Sequence, residues 1–125
     1  SGVVIGRSDL ASSLNIKDTN SIEIKKISEK ILKLKNSFDI TLGGNITTES
    51  YEFIQNLGYI GLDCYETRKC TFKTNKILSK DNFQNILRKA LEFEFKWLNY
   101  KKSFYSNRSN FDKSRMNIIK SRINL

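Results

Sequence analysis

Gly2-Val3-Val4-Ile5-Gly6-Arg7-Ser8-Asp9-Leu10-Ala11-Ser12-Ser13-Leu14 is the stretch on which the reading of the fold turns. Val3, Val4 and Ile5 are β-branched and form a short strand that Gly6 ends. A glycine directly after a strand lets the backbone turn sharply and leaves N–H groups free to face an anion. The polar loop Arg7 to Asn20 then leads to Ser21, a good helix N-cap. Ile24, Ile27, Ile31 and Leu34 recur at spacings of three, four and three, which predicts an amphipathic helix with its charges on the other side. Phe38 to Leu42 is a second strand closed by Gly43-Gly44. Thr47 or Thr48 caps a second helix, with Tyr51, Ile54 and Leu57 on its buried side and Gly58 as its stop. A third strand is expected over about Cys64 to Phe72. Ser79 or Asp81 opens a long helix whose apolar stripe is Phe83, Ile86, Leu87, Ala90, Leu91, Trp97 and Leu98. After a polar break, Ser103 to Asn110, a last helix runs from about Asp112 to Ile123.

Strands alternating with helices predict right-handed crossovers and a parallel sheet. A doubly wound sheet and a slice of a barrel both suit this order, and spacing does not choose between them. In both, ligands gather at the C-terminal ends of the strands. Gly6 to Ser13, Gly43 to Thr48 and Glu66 to Phe72 are therefore the segments to search.

The bulk numbers narrow the chemistry. At 125 residues the chain is one domain by length. No apolar run approaches the roughly 18 residues of a membrane span, so no membrane is expected. The chain has no histidine, which excludes a Ser-His-Asp or Cys-His apparatus and a His-ligated zinc built from it alone. Cys64 and Cys70, on one expected strand, would lie roughly 20 Å apart, too far for a disulfide. Free thiols in a reducing cytoplasm are the reading. The net charge is +9, but residues 1–84 carry 12 basic and 10 acidic side chains, whereas residues 85–125 carry 10 and 3. The excess belongs to the C-terminal helices, as a solvated basic face or a surface for an anionic partner.

Asp9 can present a carboxylate into the same pocket as the backbone donors freed after Gly6, an arrangement suited to a divalent cation with a small carboxylate-bearing substrate. Hard oxygen ligation points to Mg²⁺ or Mn²⁺. Alternatively, Ser8 and Asp9 merely cap the following turn. Glu66, Arg68 and Cys70 share one face of the expected third strand. Arg68 there either clamps a carboxylate or phosphate in bidentate fashion, or makes an ion pair with Glu66 that fills space. Asn45 and Thr47 read as turn and helix cap.

The first stretch resembles the Gly-x-x-Asp-Leu-x-x-Ser-Leu signature of the HpcH/HpaI aldolase–citrate lyase family, carried here by Gly6, Asp9, Leu10, Ser13 and Leu14. Leu42 to Thr47 and Tyr65 to Lys69 resemble that family's later strand ends. The resemblance, over about residues 2 to 100, implies the last three β/α units of a TIM-type (β/α)₈ barrel over residues 1–102, with residues 103–125 as a helical extension. It implies a metal-dependent C–C bond lyase acting on a 2-oxo acid or acyl-CoA, with Asp9 on the metal and the amides matching Ser8 and Asp9 on the substrate carboxylate. Gly6, Ser8, Asp9 and Arg68 are thus the expected substrate-binding residues. The family's second metal ligand, a glutamate ending the preceding strand, and an earlier arginine have no counterpart here. The site is therefore expected to be incomplete, in the C-terminal part of a larger protein or in a truncated relative. No general base stands out.

The rival reading is a non-catalytic basic module binding nucleic acid or protein through residues 85–125, where Lys101-Lys102, Phe104-Tyr105 and Arg108 interleave aromatic groups with charge. Phe93, Phe95 and Tyr100, beside or off the long helix's stripe, suggest a homo-oligomer interface along the C-terminal helices. With three parallel strands covered on one face and an open first strand, the isolated chain is expected to self-associate or to need further strands.

Overall fold

A computed structural model of the chain describes residues 2–104 and 109–123. The strands are β1 (Gly2–Gly6), β2 (Asp39–Gly43), β3 (Cys64–Glu66) and β4 (Thr71–Lys73). The α-helices are α1 (Arg7–Ser13), α2 (Ile22–Lys33), α3 (Tyr51–Tyr59), α4 (Lys80–Phe104) and α5 (Ser109–Ile123). The sheet runs β1-β2-β3-β4, parallel between the first three strands and antiparallel between β3 and β4.

The mixed sheet overturns the expectation of three parallel units cut from a TIM barrel. The segment read as one strand from Cys64 to Phe72 is a hairpin. The Thr67 N–H donates to the Cys70 carbonyl at 2.8 Å, and the Cys70 N–H donates to the Thr67 hydroxyl at 3.2 Å. These bonds close a turn around Arg68 and Lys69 and send the chain back along β3, with Tyr65 opposite Phe72. An antiparallel return occupies the edge where a parallel barrel would continue. It also ends the face that Glu66, Arg68 and Cys70 were expected to share, and the one-strand separation of Cys64 and Cys70; both thiols are free. Local alternation cannot distinguish one strand of nine residues from two of three, because period two survives a tight turn.

One face of the sheet carries Ile5, Ile40, Leu42, Tyr65 and Phe72 and is packed by helices. Ile24 and Leu32 of α2, Ile54 and Leu57 of α3, Phe83, Leu87 and Leu91 of α4, and Ile119 of α5 complete this core. The other face carries Val4, 56% exposed, in register with Thr41, Cys64 and Lys73. Among the described residues, β1 has no further partner strand on its outer edge.

The helices differ from expectation in instructive ways. α1 forms where a loop was expected. In α2, Ser28 and Leu32 take the buried face while Leu34 is exposed. α3 runs through Gly58 and stops at Gly61, whose φ of 115° is left-handed. There the Leu62 N–H donates to the Leu57 carbonyl at 2.9 Å and the Gly61 N–H to the Gly58 carbonyl at 3.4 Å, a Schellman closure. In α4, Trp97 lies outward at 43% exposure, and Glu94 takes a buried position in its place. Phe95 packs against the core under Lys120, leaving Phe93, Trp97 and Tyr100 exposed. Tyr105 and Arg108 of the aromatic–basic motif, and the Phe104 side chain, lie outside the described residues. Among the described residues, no helix is long and apolar enough to cross a membrane.

Candidate anion-binding site

The register of β1 and β2 sets Gly6 beside Gly43, so the residues that follow each strand meet. Arg7 is the first of these and is fully buried. Its Nη2 donates to the carbonyls of Gly44 at 2.8 Å and Asn45 at 3.1 Å, and its Nη1 to Asn20 Oδ1 at 2.6 Å. Longer bonds reach Gly43, Thr19 and the Ser50 hydroxyl, and the Phe53 ring lies 4.9 Å from the guanidinium carbon. Burial lowers this guanidinium to about 10, with Asp18 opposing the shift, so it remains a cation at neutral pH. It holds the turn after β2, where Gly44 (φ 84°) and Asn45 (φ 51°) are both left-handed. A Cβ on Gly44 would stand 2.5 Å from the Ser8 nitrogen, so only glycine lets the turn approach α1 this closely.

Above this base lies a cavity of about 540 Å³, at the C-terminal ends of the parallel strands. Ser8 and Ser12 of α1, Asn45, and Arg68 of the hairpin turn contribute to its wall, and α5 brings Arg115 and Arg122. Arg115 is committed: its Nε and Nη2 donate to the two oxygens of Glu94 at 2.9 and 3.2 Å. Arg122 donates to Asn45 Oδ1, a neutral acceptor. Burial lowers the Arg122 pKa, and Arg115 and Arg68 add to the shift while Glu94 opposes it, as expected of cations gathered in one place. Lys17 and Glu66 also line the cavity. Among the described residues, neither Lys17, Arg68 nor Arg122 is paired with a carboxylate.

Of the residues expected at the site, Ser8 and Arg68 line this cavity together. Gly6 and Asp9 do not join them. The Asp9 carboxylate is exposed and lies over Gly6, with Oδ2 3.2 Å from where a Cβ would stand. Glu66 covers Gly43 in the same way, with Oε1 at 3.1 Å. Gly6 and Gly43 are register partners, so the two carboxylates stand over neighbouring glycines on the open sheet face. Among the described residues, no three or more Cys, Asp or Glu side chains are grouped to hold a metal.

Compared with known proteins, the chain matches no family model, no curated protein and no solved structure.

Arg7, Arg115 and Arg122 escaped the reading of the sequence. Arg115, Ile119 and Arg122 recur at spacings of four and three, which puts them on one helical face. That pattern was the available signal, and a general excess of basic residues in the helix obscured it.

Proposed function

We propose that this chain binds a small carboxylate-bearing substrate, a 2-oxo acid or an acyl-CoA, in the cavity at the strand ends. The reaction class put forward is C–C bond cleavage or formation of the aldolase–citrate lyase type. The observation that carries the binding proposal is Arg68, a guanidinium without a carboxylate partner among the described residues, facing a concave site with Ser8 and Asn45. A planar guanidinium suits bidentate recognition of a carboxylate. The positive field of Lys17, Arg68 and Arg122 favours negative charge developing on an enolate. No proton transfer is assigned to a side chain, and no step runs through a metal. The free thiols of Cys64 and Cys70 suit a reducing compartment such as the cytoplasm.

The test is calorimetric titration of the full chain with pyruvate and oxalate, beside the variant Arg68→Gln. The expected result is saturable binding that Arg68→Gln weakens about tenfold, as for the loss of one charge-assisted contact. Undiminished binding in the variant overturns the assignment of Arg68. Absence of binding by either anion, with single-stranded RNA binding that falls steeply with salt, would favour the basic-module reading.

A further inference from the structure

We infer that Arg122, on the C-terminal helix α5, is a ligand-contacting, specificity-determining residue that recognises a second anionic group, so that the preferred ligand is a dianion. This rests on the binding proposal above and adds to it a residue, an element and a charge state.

Charge in the cavity wall supports it. Arg115 and Glu94 neutralise each other through two hydrogen bonds. That leaves Lys17, Arg68 and Arg122 against the single carboxylate of Glu66, an excess of two positive charges. A monoanion would leave half of that excess uncompensated in a partly enclosed space, whereas a dianion balances it. The cations also come from separate elements. Arg68 stands on the β3–β4 turn and Arg122 near the end of α5, so two anionic groups of one ligand can each meet a guanidinium.

The position of α5 is secured without Arg122. Ile119 is fully buried in the core, and Arg115 anchors on Glu94, whose side chain is 1% exposed. These two place Arg122, on the same helical face, over Asn45. Arg122 spends its hydrogen bond there on a neutral amide oxygen, which a ligand carboxylate or phosphate can replace with a charge-assisted bond. The C-terminal helix, by sequence a basic extension, thus forms a wall of the site.

The experiment compares pyruvate, with one carboxylate, and 2-oxoglutarate, with two, by calorimetry on the full chain. Wild type is expected to bind 2-oxoglutarate about tenfold tighter than pyruvate. Arg122→Gln should remove most of that preference while changing pyruvate affinity less than about threefold, and Arg122→Lys should restore part of it. Urea unfolding separates contact from positioning: Arg122→Gln should unfold with wild type, because Ile119 and Arg115 hold α5 without it. A large loss of stability in Arg122→Gln would make Arg122 a structural residue and overturn the inference. So would 2-oxoglutarate binding no tighter than pyruvate, or equal losses for both acids in Arg122→Gln; in either case pyruvate binding sensitive to Arg68→Gln would leave the pocket itself standing. If neither acid binds wild type, the pocket falls and this inference with it.

Discussion

The guanidinium of Arg7 donates to the carbonyl oxygen of Gly44 at 2.8 Å, joining the first residue after β1 to the left-handed turn after β2. The candidate site is built on this link, because the same arginine also holds the carbonyls of Asn45 and Gly43.

Arg7→Ala is expected to destabilise the fold by about 3–5 kcal/mol, since it strands buried carbonyls that have lost a charged donor and opens a void beside Phe53. Arg7→Lys should recover only part, because one ammonium cannot span the positions that the planar fork reaches. Urea unfolding measures both. A loss under about 1 kcal/mol for the alanine variant would show the turn to be held by other contacts.

Glu94 is buried with Arg115 as its charge partner. Arg115→Met leaves that carboxylate unpaired and should cost about 3–5 kcal/mol, with amide exchange accelerating across α5. The double variant Glu94→Leu with Arg115→Met should recover most of the loss, because no buried charge then remains. Recovery is the outcome to look for; equal instability of the single and double variants would mean the pair is not what docks α5.

Asp63 accepts from Lys35 Nζ at 2.6 Å and from the Ile40 N–H at 2.8 Å, fastening the segment after α3 to the start of β2. Burial pushes its carboxyl up, but the bonds from Lys35 and Ile40 outweigh this and hold it below the ordinary 3.8. With the folded value depressed, the stabilisation is present above the unfolded value and is lost as pH falls through the folded one. Circular dichroism of wild type and Asp63→Asn should therefore show a stability difference at neutral pH that narrows as the medium is acidified below about pH 4. A difference independent of pH would discount the ionic contribution.

Tyr65 is fully buried between Phe72 and Phe83, and its hydroxyl has no hydrogen-bond partner among the described residues. Tyr65→Phe should stabilise the protein by about 1 kcal/mol by removing that unsatisfied group. Burial also raises the phenol from 10.0 to about 12. Between those values the unfolded chain ionises Tyr65 and the folded one does not, so wild type should lose stability as pH rises through this window. The phenylalanine variant should lack that component of the alkaline loss. Thermal melts at pH 7 and pH 11 test both points, and a less stable variant at pH 7 would indicate that the hydroxyl is satisfied in solution.

Local sequence carried much of the architecture. β1 and β2 follow from short β-branched or apolar runs that end in glycine, and α2, α3 and α4 from apolar spacing near 3.6 with polar caps. The strand-end segments Gly6 to Ser13 and Gly43 to Thr48 were legible as a binding region, because parallel strands joined by helices put their C-terminal ends together. Ser8 lies in the first of those segments and lines the cavity, whereas Arg68, expected on a strand face, reaches the cavity from the β3–β4 turn.

What the sequence by itself determined was therefore whatever depends on neighbours along the chain: helix faces, strand runs, the class of αβ alternation and the region where loops converge. Only the tertiary structure decided that Cys64 to Lys73 folds back as β3 and β4, that Arg7 turns inward, that Asp9 remains outside the cavity and that α5 sets Arg122 over Asn45. Each of these depends on a partner distant in sequence. An arginine is driven inward only where several carbonyls already wait for it, and a strand pairs antiparallel only where a sheet edge is available. Alternation and periodicity report which way a side chain faces on its own element; what it faces is set by the packing of the others.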